Sequence, residues 1–84
     1  MDPSILALVV NVWRDVLKVD RIESTDDFFE LGGHSLLASR VLARLGKETG
    51  GKLTLRTFDE APTVELFAAA LEAELKAGTG RGGD

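Results

Sequence analysis

The chain of 84 residues contains no cysteine and a single histidine, His34. The absence of cysteine excludes disulfide bonds, thiolate zinc sites, iron–sulfur clusters and a cysteine nucleophile in the polypeptide. One histidine is too few for a metal site built from several histidines. No apolar run approaches the roughly 20 residues that span a bilayer, and the acidic start of the chain lacks the basic region of a signal peptide. These absences predict a cytoplasmic protein.

Basic side chains are outnumbered as well, with 10 lysines and arginines against 14 acidic residues and a net charge of −4. An acidic balance disfavours general nucleic-acid binding, which depends on positive charge. The basic residues concentrate in residues 35–52, where Glu48 is the single acid and the basic members are Arg40, Arg44, Lys47 and Lys52. Such a band is either a solvated helix face or a surface that meets a partner.

What the sequence does have is the composition of one small globular domain, with 44% hydrophobic and 29% charged residues. Apolar residues recur at steps of three and four in three long segments and one short one, with no alternating strand pattern. The residues predicted to cap or begin the four helices are Asp2, Ser35, Thr54 and Thr63. We therefore predict an all-α fold, a small four-helix bundle with three main helices and one short helix. Gly78 is expected to end the last helix, and residues 78–84 are expected to form a disordered tail.

The predicted connection between the first two helices, residues 19–34, is unusually long. It has no helical period, although it carries several apolar residues, among them Phe28 and Phe29. Loops of this length in compact domains are usually functional. We expect this loop to fold onto the core, with both phenylalanines as buried anchors.

The sequence Gly32-Gly33-His34-Ser35 at the start of the second helix offers the strongest candidate chemistry. Ser35 is badly placed as a hydrolase nucleophile, because His34 is its immediate neighbour and adjacent residues entering a helix point apart. The segment also lacks the patterns of a nucleophile elbow and of a phosphate-binding glycine loop. The two glycines would leave the hydroxyl uncrowded, and the helix N-terminus favours a phosphate there. Ser35 is therefore either a plain N-cap or the site of a phosphodiester.

A resemblance to a known family is carried by residues 26–38, which read Asp26-Asp27-Phe28-Phe29-Glu30-Leu31-Gly32-Gly33-His34-Ser35-Leu36-Leu37-Ala38. This run resembles the core motif of peptidyl carrier proteins (thiolation domains) of nonribosomal peptide synthesis, and the similarity continues to about Leu75. It implies a four-helix bundle, with residues 1–77 as the carrier domain. It also implies that Ser35 bears 4′-phosphopantetheine, attached covalently from coenzyme A, whose thiol holds aminoacyl or peptidyl groups as thioesters. The carrier itself would be non-catalytic.

The resemblance also implies the partners, namely a phosphopantetheinyl transferase, an adenylation enzyme or domain, and condensation, thioesterase or tailoring enzymes. Neither nucleic acid nor membrane is implied, and a monomer is expected. Gly-Gly-His-Ser-Leu is similar to peptidyl carriers, whereas fatty-acid carriers have Asp-Ser-Leu, so the expected cargo is an amino acid. The candidate contacts are Leu36 as an exposed apolar residue, His34 as an orienting residue, and Arg40 and Arg44 as a polar rim.

Two alternatives stay open at this point: a non-covalent helical adaptor in which Ser35 is only a cap, and a carrier of aryl or polyketide acyl groups. Met1 and the short polar tail favour a free-standing carrier, although a domain of a larger synthetase would show the same pattern. The chain departs from the family pattern at Thr49 and Gly51, and at Phe58-Asp59. These departures are expected to loosen the packing around the short third helix.

Overall fold

Four helices make up most of the chain. The computed structural model describes the backbone of residues 3–81 and the side chains of residues 4–77. Its helices are α1 (Pro3–Leu17), α2 (Ser35–Thr49), α3 (Leu55–Glu60) and α4 (Val64–Arg81). Helix α1 packs on α2 and α4, and α3 lies against α2 and α4. The predicted all-α bundle with one short helix and a long first loop is confirmed.

The starts of two helices agree with the sequence. The N–H of Leu66 donates to the Thr63 hydroxyl at 3.3 Å, and the N–H of Thr54 donates to the Thr57 hydroxyl at 3.4 Å. Both are side-chain hydrogen bonds of the kind that hold a first helical turn. Asp2, the predicted cap of α1, lies outside the described residues.

The start of α2 differs from the prediction by one residue. His34 is the N-cap, with an extended backbone (φ −153°, ψ 179°), and Ser35 is the first helical residue. The His34 carbonyl accepts the first helical hydrogen bond, from the N–H of Ala38 at 2.8 Å, which is the role of an N-cap carbonyl. The predicted N-cap at Ser35 is therefore wrong, because the chain turns helical one residue earlier than expected, directly after the extended His34.

A glycine ends α2 but not α4. Gly50 caps α2 with φ 78°, and its N–H donates to the Gly46 carbonyl at 2.8 Å, which is the usual role of a glycine at a helix C-terminus. Helix α4 instead continues past Gly78 to Arg81, so the predicted end at Gly78 is wrong. A glycine costs a helix only about 1 kcal/mol relative to alanine, which weakens the helix without ending it. Residues 82–84 lie outside the described residues, and the domain boundary at residue 77 stays a prediction.

An aromatic cluster forms the centre of the core. It consists of Trp13 from α1, Phe28 from the loop, Phe58 from α3 and Phe67 from α4, and each side chain is at most 1% exposed. The ring centroids of Trp13 and Phe28 are 4.9 Å apart, and those of Phe28 and Phe58 are 4.5 Å apart. Phe58 stands at a departure from the family pattern, and because it is buried in this cluster the loosened packing expected around α3 is not observed at this residue.

The other two departures close the end of α2. The Thr49 hydroxyl donates to the Leu45 carbonyl at 2.6 Å and accepts from the N–H of Gly51 at 3.1 Å. A Cβ added to Gly51 would stand 3.1 Å from the side chains of Leu71 and Leu75 on α4. Thr49 and Gly51 therefore form a close turn against α4, and a larger residue at position 51 would require these two leucine side chains to shift.

Two kinds of feature are absent from the described part of the chain. Within residues 3–81, no helix is long and apolar enough to cross a membrane. The same residues contain no group of three or more histidine, aspartate or glutamate side chains that could hold a metal ion.

Candidate functional site

Ser35 lies at the surface at the first residue of α2, and its side chain is exposed, as are those of His34 and Leu36. Its hydroxyl makes no hydrogen bond to any other described residue. His34 does not use its side chain to cap the helix. No base among the described residues is therefore held against the serine, which leaves a hydroxyl open to solvent and to an incoming enzyme.

The two glycines before Ser35 are required for different reasons. Gly32 has φ 101°, a left-handed conformation that other residues rarely adopt. A Cβ on Gly33 would overlap the Phe28 ring and stand 2.7 Å from the Phe28 carbonyl oxygen. Gly33 therefore lets the chain pass directly over the buried Phe28 ring on its way to Ser35.

Backbone hydrogen bonds attach the loop to the start of α4. The N–H of Phe28 donates to the Pro62 carbonyl at 2.7 Å, and the N–H of Glu65 donates to the Ser24 carbonyl at 3.0 Å. Downstream, the N–H of Gly33 donates to the Phe28 carbonyl at 2.9 Å. The loop is thus held against a helix on one side and leads to Ser35 on the other, which confirms that it folds onto the core.

The two adjacent phenylalanines of this loop have different roles. Phe28 is fully buried, as predicted, whereas Phe29 is 43% exposed. The prediction of a core role is therefore wrong for Phe29. Both residues lie in a turn, so no alternation along the sequence distinguishes the buried ring from the exposed one. Phe29 is an exposed aromatic residue beside the site that the sequence pattern did not identify.

The outer face of α2 carries the other predicted contacts. Leu36 is 57% exposed, and it lies off the buried stripe of Ala38, Val41 and Leu45. Arg40 is exposed and forms no ion pair within the described part of the chain. Arg44 Nη1 lies 3.1 Å from Asp15 Oδ2 on α1, and both side chains are largely in solvent. The structure therefore leaves Leu36 and Arg40 available on this face and places Arg44 in an exposed intramolecular pair.

The surroundings of Ser35 fit a phosphate ester. Helix α2 has 15 residues and no acidic residue in its first turn, so its positive end is not neutralised by a carboxylate there. Amide N–H groups at a helix N-terminus have no partner within the helix and favour a negative group. A phosphodiester on the exposed Ser35 side chain would therefore meet no repulsive carboxylate in the first turn of α2.

The chain is similar to proteins of one kind. The family model described as "Phosphopantetheine attachment site" matches residues 7–71. A component of the linear gramicidin synthase of Brevibacillus parabrevis is 51% identical over 69 residues, which cover 77% of this chain. The chain spans only 1% of the length of that synthase component.

Solved structures show the same likeness. A carrier in the complex of the phosphopantetheine transferase Sfp with coenzyme A and a peptidyl carrier protein matches with a TM-score of 0.81 and 29% identity, covering 87% of this chain and 95% of that chain. The McyG A-PCP structure with phenylalanyl-adenylate matches with a TM-score of 0.77 and 34% identity, covering 83% of this chain and 11% of that one.

Proposed function

Because the chain belongs to the phosphopantetheine attachment-site family and is a peptidyl carrier domain, we propose that Ser35 is its acceptor of 4′-phosphopantetheine. The carrier would hold aminoacyl or peptidyl groups during nonribosomal peptide synthesis. The observation that carries the assignment of Ser35 is its exposed hydroxyl, without a hydrogen-bond partner among the described residues, at the first position of α2.

The proposed attachment is a phosphoryl transfer from coenzyme A. A bond forms between Ser35 Oγ and the phosphorus next to the pantetheine, and the phosphoanhydride bond to the nucleotide breaks. The leaving group is adenosine 3′,5′-bisphosphate, and the hydroxyl proton passes to a base of the transferase, since the described residues of the carrier hold no base against Ser35. Ser35 supplies the oxygen, and the N–H groups of the first turn of α2 stabilise the charge of the ester. The attached arm supplies a thiol that carries acyl groups as thioesters.

The carrier would contribute no bond-making of its own after this step. A group held on a flexible arm reaches each partner site at a high effective concentration, which accelerates encounters without new contacts. Each encounter has to be brief, and a small interface with an apolar centre and a charged rim meets that requirement.

The proposed partner face is the outer side of α2 beside Ser35. Leu36 would be its apolar centre and Arg40 part of its charged rim, because both are exposed. His34 would contact the transferase, and Arg44 would join the rim while paired with Asp15. The proposed partners are a phosphopantetheinyl transferase, an adenylation enzyme or domain, and condensation, thioesterase or tailoring enzymes. The similarity to carriers solved with Sfp and with an adenylation domain supports the first two.

Intact-mass measurement tests the attachment site. The protein is incubated with coenzyme A and Sfp, and the mass should rise by one 4′-phosphopantetheinyl group. Ser35→Ala should abolish the rise and leave the far-ultraviolet circular dichroism unchanged. Ser39→Ala is the matched control, because Ser39 is an exposed serine of the same helix whose hydroxyl donates to the Leu36 carbonyl at 2.7 Å. It should be modified normally.

Two results would contradict the proposal. An unmodified wild-type protein would exclude the carrier function, and retained binding to a partner would then favour a helical adaptor. A modified Ser35→Ala variant would place the arm on another residue.

A further inference from the structure

Two adjacent aspartates of the long loop hold two different turns. Asp26 Oδ2 accepts from the N–H of Glu23 at 2.8 Å, on the side of the loop away from Ser35. Asp27 Oδ1 accepts from the N–H groups of Phe29 at 2.8 Å and Glu30 at 3.2 Å, on the side that leads toward it. One carboxylate oxygen of Asp27 therefore binds two successive backbone amides, which is how an aspartate fixes a turn.

The turn that Asp27 holds continues without a break to Gly33. The three backbone hydrogen bonds of this stretch run from Leu31 N–H to the Asp27 carbonyl at 3.1 Å, from Gly32 N–H to the Phe29 carbonyl at 3.1 Å, and from Gly33 N–H to the Phe28 carbonyl at 2.9 Å. A continuous series of backbone hydrogen bonds therefore runs from Asp27 to Gly33, two residues before Ser35.

The backbone of Asp27 is attached to the helical bundle. Its backbone forms the isolated antiparallel bridge with Thr63, directly before α4. Phe28, the next residue, is fully buried. The carboxylate of Asp27 thus lies between a residue pair at the start of α4 and the segment that carries Gly32 and Gly33, and it binds the first two amides of that segment, those of Phe29 and Glu30.

We infer that Asp27 is a positioning residue for the modification of Ser35. Its carboxylate oxygen holds the backbone of residues 27–33 in the conformation that presents Ser35 to the transferase. The inference rests on the proposed function of Ser35. Small errors in the placement of a reacting group reduce rates strongly, so the loss of this acceptor should slow the transfer even where the domain stays folded.

Two substitutions of Asp27 distinguish the effect of where the acceptor oxygen lies from the effect of its negative charge. Asp27→Asn keeps an oxygen at the same distance from the backbone and removes the charge, whereas Asp27→Glu keeps the charge and moves the oxygen by one methylene. We expect Asp27→Glu to lower kcat/KM for transfer from coenzyme A by Sfp about tenfold, and Asp27→Asn to lower it less than about twofold. A charge contact with the transferase would give the opposite order.

Asp26→Glu is the matched control, because it moves the oxygen of the neighbouring aspartate and disturbs a turn that does not lead to Ser35. Its kcat/KM should stay within about twofold of the wild type. Rates are measured at a temperature where circular dichroism shows every variant to be fully folded, so that a loss of stability alone does not change them. If Asp27→Glu fails to fold, Asp27→Ser replaces it, with an expected loss of about threefold, because serine makes the same kind of turn more weakly.

The outcomes distinguish this inference from the proposed function. An unmodified wild-type protein overturns the proposed function itself. A modified wild type with equal rates for both position-27 variants overturns the positioning role alone. So does an Asp27→Asn variant that is slower than Asp27→Glu, or an Asp26→Glu variant that is as slow as Asp27→Glu.

Discussion

The loop before Ser35 and the helix after it are held in place by different means. The loop depends on backbone hydrogen bonds to the start of α4, on the buried ring of Phe28, and on Gly33 lying against that ring. Helix α2 depends on its buried stripe of Ala38, Val41 and Leu45, and Leu36 and Arg40 on the opposite face are exposed. The site thus combines a loop that is held against the core with a helix face that is open to solvent. The loop fixes where the serine lies, and the helix leaves room for a partner beside it.

We expect substitutions in the loop to lower the stability of the domain more than substitutions on the outer face of α2. The largest expected loss is at the buried residue Phe28. Phe28→Ala should lower the free energy of unfolding by about 3–5 kcal/mol, because it leaves a cavity in the aromatic cluster. Phe29→Ala is the matched control and should cost less than about 1 kcal/mol, since Phe29 is 43% exposed. Urea denaturation followed by circular dichroism measures both. Similar losses for the two variants would refute the division of roles within the pair.

A second substitution acts on the close approach of the loop to the core. Gly33→Ala should lower the free energy of unfolding by about 1–3 kcal/mol, because the added Cβ overlaps the Phe28 ring. Gly46→Ala, within α2, should raise the free energy of unfolding by about 0.5–1 kcal/mol, because alanine is the better helix former. The added Cβ would lie 3.5 Å from the Gly51 carbonyl oxygen, an ordinary contact distance without a clash. Thermal unfolding compares the two. A stable Gly33→Ala variant would show that the loop has room to move.

Loss of the ion pair between Asp15 on α1 and Arg44 on α2 should have only a small effect on stability. Asp15→Asn removes the ion pair with Arg44, and the side chains of Asp15 and Arg44 are 68% and 45% exposed. Exposed pairs contribute at most about 1 kcal/mol, and salt screens them. We expect a loss of stability that is detectable at low ionic strength and disappears when salt is added. A loss that persists in high salt would mean that Asp15 has another structural role.

The outer face of α2 should show almost no effect on stability and a clear effect on function. Leu36→Ala and Arg40→Glu should each change the free energy of unfolding by less than about 0.5 kcal/mol. Each should lower the rate at which a cognate adenylation enzyme loads the modified carrier. Ser39→Ala serves as the control for a change on the same helix. Unchanged loading of both variants would show that the partner face lies elsewhere.

Local sequence signals were sufficient for the helices and for the exposed residues of α2. The steps of three and four, together with Thr54 and Thr63, predicted the helices, because these signals act over a few residues. The same signals misplaced the cap at Ser35 and the end at Gly78, since several residue types compete there and the surrounding chain decides between them. The separation of Phe29 from Phe28 depends on which side of the loop faces the core.

The contacts that define the site join residues far apart in the chain. The pairing of Asp27 with Thr63 and the ion pair of Arg44 with Asp15 depend on how the helices pack. Nothing in the periodicity of either segment indicates its partner. The family resemblance pointed to Ser35, but the hydrogen bonds that lead the chain there became visible only in the folded structure.

The aromatic cluster gives this protein a single optical reporter. The chain has one tryptophan and no tyrosine, so its near-ultraviolet absorbance and its intrinsic emission arise almost wholly from Trp13. The indole is fully buried, and its Nε1 has no hydrogen-bond partner among the described residues. Its emission should therefore lie toward short wavelengths. Because its ring touches Phe28, which in turn borders Gly33, a disturbance of the loop at Ser35 can be followed from the core without attaching a label.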